Sequence, residues 1–267
     1  MISFPLFKAG FKLNWLLFLI FLAVLIMYMT VMVSMYDPEN VEAMNVYLET
    51  LPEVMIDAMG FSTAATDLTS FIGLYYYGFI VLLFPMIFSI ILANRLVAAL
   101  VDRGSMAYLL STPNTRIKIV TTQALFMIAC IIIMLLINTV IGILFSESMF
   151  PSELDVITFM KLNLATIMLT LAVSSICFFF SCLFNETRYS LAFGAGIPLL
   201  FFVINMLRSI GENSDWLKYI TIYTLFDAGL IINGEQSVIL ISMAFGAVTL
   251  VLYSSGIILF SRRNLFV

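Results

Sequence analysis

Long apolar runs, separated by short polar stretches, dominate the chain. Six of the runs are long enough to cross a bilayer, which takes about 20 consecutive apolar residues in a helix. They fall at about 13–35, 71–93, 119–145, 156–184, 191–207 and 238–260. The fourth is long enough to tilt in the membrane. The pattern predicts an all-α membrane protein with six transmembrane helices in a single domain over 1–267. The first run outlasts a signal-peptide core of about 7–15 residues, and no small-residue cleavage site follows it. It is expected to remain as an anchor.

Three connections carry a pattern of their own. In the segment 36–70, Met44, Val46, Leu48, Leu51, Val54, Met55, Met59 and Phe61 interleave with carboxylates. Pro52 suits the first turn of a helix. Two short amphipathic helices at the interface and an ordinary solvated loop both fit. The segment 209–237 holds Trp216, Tyr219, Tyr223 and Phe226, and Trp and Tyr favour the headgroup level. A short re-entrant or surface helix ending near Gly229 is expected there. The segment 94–118 is too long for a turn. Leu96, Val97, Leu100 and Val101 repeat at helical spacing, Gly104 and Ser105 interrupt, and Met106, Tyr108, Leu109 and Leu110 resume the apolar face. Thr112 followed by Pro113 reads as an N-cap and a first-turn proline. A helix–break–helix with basic ends can dock a partner or anchor to lipid headgroups.

Charge gives the orientation. If the six spans alternate, nine of the twelve Lys and Arg residues fall on one side: Lys8, Lys12, Arg95, Arg103, Arg116, Lys118, Arg188, Arg262 and Arg263. The acids of that side are Asp102 and Glu186. Lys161, Arg208 and Lys218 fall on the other, with the remaining carboxylates. Basic loops stay cytoplasmic, so both termini and the segment 94–118 are expected inside, and 36–70 and 209–237 outside.

Composition removes function classes. The 267 residues are 63% apolar and 10% charged, with a mean hydropathy of +1.12. Soluble chains are about half apolar and a quarter charged. There is no His, the commonest metal ligand and general base. Cys130, Cys177 and Cys182 lie in apolar runs, and the spacing of the last two does not match a CxxC pair. No catalytic or metal-ligating residue is expected, and no nucleic acid partner. No carboxylate sits near the middle of a span, which argues against an ion or proton relay and against a membrane enzyme. Asn138, Ser174, Ser175, Ser181 and Asn205 can bond between helices or touch a substrate. Gly194, Gly196 and Pro198 read as close packing or as a hinge in the fifth span. Tyr75, Tyr76 and Tyr77 read as an interfacial belt at the start of the second. The seventeen Met and twenty-five Phe residues fit either a path for amphipathic cargo or plain lipid-facing bulk.

The stretch LVDRGSMAYLLSTPNTRIKIVTTQ, Leu100 to Gln123, resembles the cytoplasmic signature of type 2 ABC transporter permeases. Its elements are Asp102, Arg103, Gly104, Ser105, Leu109, Leu110, Ser111, Thr112, Pro113 and Arg116. Family members often carry Glu three positions before the glycine, where Val101 stands here. The resemblance implies the membrane subunit of an ABC exporter in a bacterial plasma membrane. It implies pairing with an identical or different permease and docking of a cytoplasmic ATPase dimer that holds ATP and magnesium. Leu100, Asp102, Arg103, Gly104, Ser105, Met106, Leu109, Leu110, Thr112, Pro113 and Arg116 would form the coupling site. The cargo would be amphipathic or hydrophobic: a peptide, a drug or a lipid-like molecule. An immunity, sensor or scaffold component without net transport is the alternative. The sequence contains no GxxxxGK[ST] phosphate loop, so ATP hydrolysis is expected in a separate chain.

Overall fold

The computed structural model describes residues 2–38, 67–111, 114–210 and 220–263, without the side chains of 208–210. Among them the regular structure is helical, with no strand. Helix α1 spans Phe4–Met35, with Pro5 in its first turn. The second span, α2, covers Leu68–Asp102. It is followed by the short α3, Ser105–Leu110, and by α4, Arg116–Met149. Helix α5 spans Val156–Leu183 and α6 spans Thr187–Ile210. A 3-10 turn, Ile222–Leu225, and the short α7, Ala228–Ile232, lead into α8, Val238–Arg262. Six of these helices are long and apolar enough to cross a membrane. The expected short helices within 39–66, the Thr112–Pro113 pair, Trp216, Tyr219 and the tail 264–267 lie outside the described residues.

Several helices outrun their apolar runs. Helix α1 begins at Phe4 and carries Lys8 and Lys12 on its first turns. Hydropathy marks only the lipid-embedded part; the backbone ladder continues into the headgroup layer, where long cationic side chains reach water. Likewise α2 continues through residue 94 to Asp102. It starts on a capping box in which Asp67 and Ser70 satisfy each other's backbone N–H. It is not uniform: Gly73–Ile80 and Asn94–Ala98 are π-helical, flanking an α-helical stretch that contains Pro85.

Helix α5 is the pillar of the bundle. Its apolar window is 72% buried, against 22% for α1 and for α6. Helix α8 packs along it most extensively, and α6, α2 and α4 surround the rest. Small residues set the close approaches. A Cβ on Gly256 would stand 3.4 Å from the Phe179 Cα, and one on Gly194 would stand 3.4 Å from the Cys177 carbonyl oxygen. The faces turned away from α5 are lipid-like: Leu13 on α1 and Ile239 and Leu240 on α8 are among the most exposed side chains.

The two ends of the bundle differ. At one end the Ser3 N–H donates to Thr122 Oγ1 (3.0 Å), joining α1 to α4. Lys8, Lys12, Arg116, Arg188, Arg262 and Arg263 gather there, so this is the basic end. At the other, the Asp155 N–H donates to Thr69 Oγ1 (2.9 Å). Tyr36 packs edge-on against Phe71 and Phe150. Burial, and then the charges of Glu153 and Asp67, push the Tyr36 phenol above its usual pKa.

Candidate coupling site and buried polar layer

The basic end presents one protruding element. Helix α2 ends at Asp102, and Arg103 and Gly104 turn the chain into α3. Gly104 has φ 69°, in the left-handed region, where an L side chain costs about 1–2 kcal/mol. The glycine is needed for its backbone, since a Cβ there would meet no atom within 4 Å. The turn is what separates the short α3 from the long α2.

The side chains of this element divide by face. Val101 and Met106 are buried against the bundle, and Leu100, Leu109 and Leu110 pack against the core from its rim. Asp102, Arg103 and Gly104 are exposed and Ser105 is half-buried. Tyr108 points outward and is 80% exposed, a cost for a large aromatic that a partner surface would recover. The sequence placed Tyr108 with its apolar neighbours; its separate direction is set by the short helix. Arg116, the first residue of α4, turns inward: its Nη1 donates to the Arg263 carbonyl at 2.8 Å.

Inside the bundle, four spans meet in a polar layer. Tyr76, on the π-helical part of α2, directs its hydroxyl at the Leu25 carbonyl of α1 and at Asn138 Oδ1 of α4, both 3.1 Å away. Thr139 Oγ1 donates to Asn163 Oδ1 of α5 at 2.7 Å. Asn163 Nδ2 donates to the Phe159 carbonyl. The Tyr77 hydroxyl lies toward Asn163 without closing a bond of normal geometry. Tyr76, Tyr77 and Asn138 are completely buried. This corrects the reading of these tyrosines as an interfacial belt: the wider π turn aims them at the bundle interior. Asn163 and Thr139 were missed because hydropathy averages single polar residues away. π-helical segments inside α-helices occur disproportionately at functional positions.

Four other hydroxyls of α5 turn back on their own helix. Thr166, Thr170, Ser174 and Ser175 donate to carbonyls three or four residues earlier. Ser174 also pairs with the Tyr253 hydroxyl of α8 at 2.9 Å. Ser181 pairs with Ser190 of α6 at 3.0 Å. Midway along the bundle, Tyr223 of the 3-10 turn is buried beside a cleft lined by Leu82, Met86, Leu169, Thr170 and Val173 that is too narrow for a water molecule. Its hydroxyl points at the Met86 sulfur, 3.4 Å away.

Helix α6 runs unbroken through Gly194, Gly196 and Pro198. Gly194 faces α5 in van der Waals contact, whereas Gly196 faces open space. Among the described residues, no group of three or more potential ligands could hold a metal ion.

A family model described as ABC-2 family transporter protein matches residues 7–265. No curated protein and no solved structure matches the chain.

Proposed function

Because the chain belongs to the ABC-2 family of transporter proteins, we propose that it is the permease subunit of an ATP-driven exporter that moves amphipathic or hydrophobic cargo outward. In this reading the basic end is cytoplasmic. The element from Leu100 to Arg116 is the coupling site, with Asp102, Arg103, Gly104, Ser105, Met106, Leu109, Leu110, Thr112 and Pro113 between them. ATP and magnesium belong to a partner ATPase dimer, and a second permease completes the assembly. Nucleotide-driven closure of the partner displaces α3. The bundle follows, with Gly194, Gly196 and Pro198 as the hinge of α6.

The observation that carries the reading is the exposed Tyr108 on a short helix set apart by the left-handed Gly104. Its neighbours Met106 and Leu109 root the helix in the core, so a push on Tyr108 is a push on the bundle. An exposed aromatic at the centre of an interface typically accounts for about 2 kcal/mol or more of binding. Tyr108→Ala is therefore expected to weaken retention of the co-expressed ATPase by roughly 30-fold, at 1.4 kcal/mol per tenfold, with the permease still folded. Full retention would reject the docking site. ATP hydrolysis without cargo movement in vesicles, with retention intact, would favour a sensor or immunity role over export.

A further inference from the structure

The basic end contains a second device, built on Arg263. A helix leaves its last carbonyls without partners. Helix α5 ends at Leu183, so the Cys182 carbonyl belongs to that unsatisfied turn. The Arg263 guanidinium, arriving from the end of α8, donates through Nη1 to the Cys182 carbonyl and through Nη2 to Asn185 Oδ1 in the α5–α6 turn. A cation at a helix C-terminus is favoured by the macrodipole. The two bonds use the fixed fork of a guanidinium, which a lysine lacks.

The main chain of the same residue does a second job. Its N–H closes the last turn of α8 on the Leu259 carbonyl. Its own carbonyl lies past the helix end and accepts from Arg116 Nη1. Residue 263 thus joins three elements: α4 through its carbonyl, the α5–α6 turn through its side chain, and α8 through the backbone. No carboxylate takes part. The Glu186 carboxylate nearby pairs with Arg188 instead. The Arg263 side chain is half-buried and held by neutral oxygens, so it stays put rather than exchanging partners in water.

We propose that Arg263 is a positioning residue that locks the basic ends of α4, α5, α6 and α8 into one unit and carries displacement of the coupling element to the α5–α6 turn. Arg116 is the first residue of α4 and follows closely on α3. A pull on α3 reaches Arg116, then the end of α8, then the turn that opens α6. The transmission role rests on the proposed exporter function; the lock does not.

The lock is tested first, without any partner. Spin labels are placed at Ile117→Cys on α4 and Leu191→Cys on α6, both exposed positions. The native cysteines are buried. The distance distribution between the labels is measured in the full chain in lipid. Arg263→Ala is expected to broaden it, and Arg263→Lys, which keeps the charge but not the fork, to restore it only in part. An unchanged distribution in both variants overturns the lock. Transmission is tested with the ATPase bound. Arg263→Lys is expected to keep partner retention while cargo moved per ATP falls roughly 2- to 30-fold, the range that altered coupling spans. Equal cargo per ATP in wild type and Arg263→Lys overturns the transmission role. No ATP-driven transport by wild type rejects the exporter function instead, and the spin-label result still decides the lock.

Discussion

Replacing Tyr76 by Phe removes one oxygen from the polar layer and tests whether that layer holds the spans together. The hydroxyl has one proton and two acceptors, the Leu25 carbonyl and Asn138 Oδ1, each at 3.1 Å. The two acceptors differ in what they lose. The Leu25 carbonyl lies inside α1, where the helical ladder also uses it. The Asn138 side chain is completely buried and its Nδ2 already has no partner. Losing Tyr76 leaves that amide with both polar ends unmet. A buried group left unsatisfied costs about 1–3 kcal/mol. Polar contacts between membrane helices average about 0.6 and reach about 1.7 kcal/mol. Tyr76→Phe is therefore expected to destabilise by about 1–2 kcal/mol. Asn138→Leu keeps the branching and removes the stranded amide, while Tyr76 keeps Leu25. It should cost less than Tyr76→Phe. The double variant should be better than the sum of the singles by about 0.5 kcal/mol or more, since contacting sites couple. Reversible unfolding by SDS in mixed micelles measures all four proteins. Additivity within about 0.3 kcal/mol, or a smaller loss for Tyr76→Phe than for Asn138→Leu, would refute the account.

Gly104→Ala meets no steric contact, so its cost is the left-handed backbone alone, about 1–2 kcal/mol; an unchanged unfolding midpoint would contradict this. Gly196→Ala also meets open space and should stabilise α6 by about 0.5–1 kcal/mol through helix propensity, while slowing transport if the glycine is a hinge. A stabilised variant with wild-type transport would exclude that role. Asp155 caps α5 by accepting from the Ile157 and Thr158 N–H groups. Hydrogen bonding from Thr158 lowers the carboxyl pKa first, and Lys161 helps. Because the folded pKa is lowered, the stabilisation is complete above the ordinary carboxylate range and is lost as pH falls through the lowered value. Asp155→Ala should cost about 1 kcal/mol at neutral pH, and the gap to wild type should narrow in acid. A gap independent of pH would rule out the charged cap.

The sequence by itself determined the number of spans, the all-helical class, the segregation of Lys and Arg to one set of connections, and the break at Gly104. Each follows from local chemistry: lipid demands about 20 apolar residues per crossing, and a left-handed turn selects glycine. It also contained the stretch from Leu100 to Gln123 that resembles the signature of type 2 ABC permeases. Only the tertiary structure decided which span is central. In lipid every span is apolar, so hydropathy ranks none of them, and the interior is marked by small and polar residues such as Asn163, Thr166 and Ser175 on α5. The π turn that swings Tyr76 and Tyr77 inward has no sequence period of its own. Arg263 grips a carbonyl 81 residues away along the chain, and a bond at that separation exists only once α8 has packed on α5.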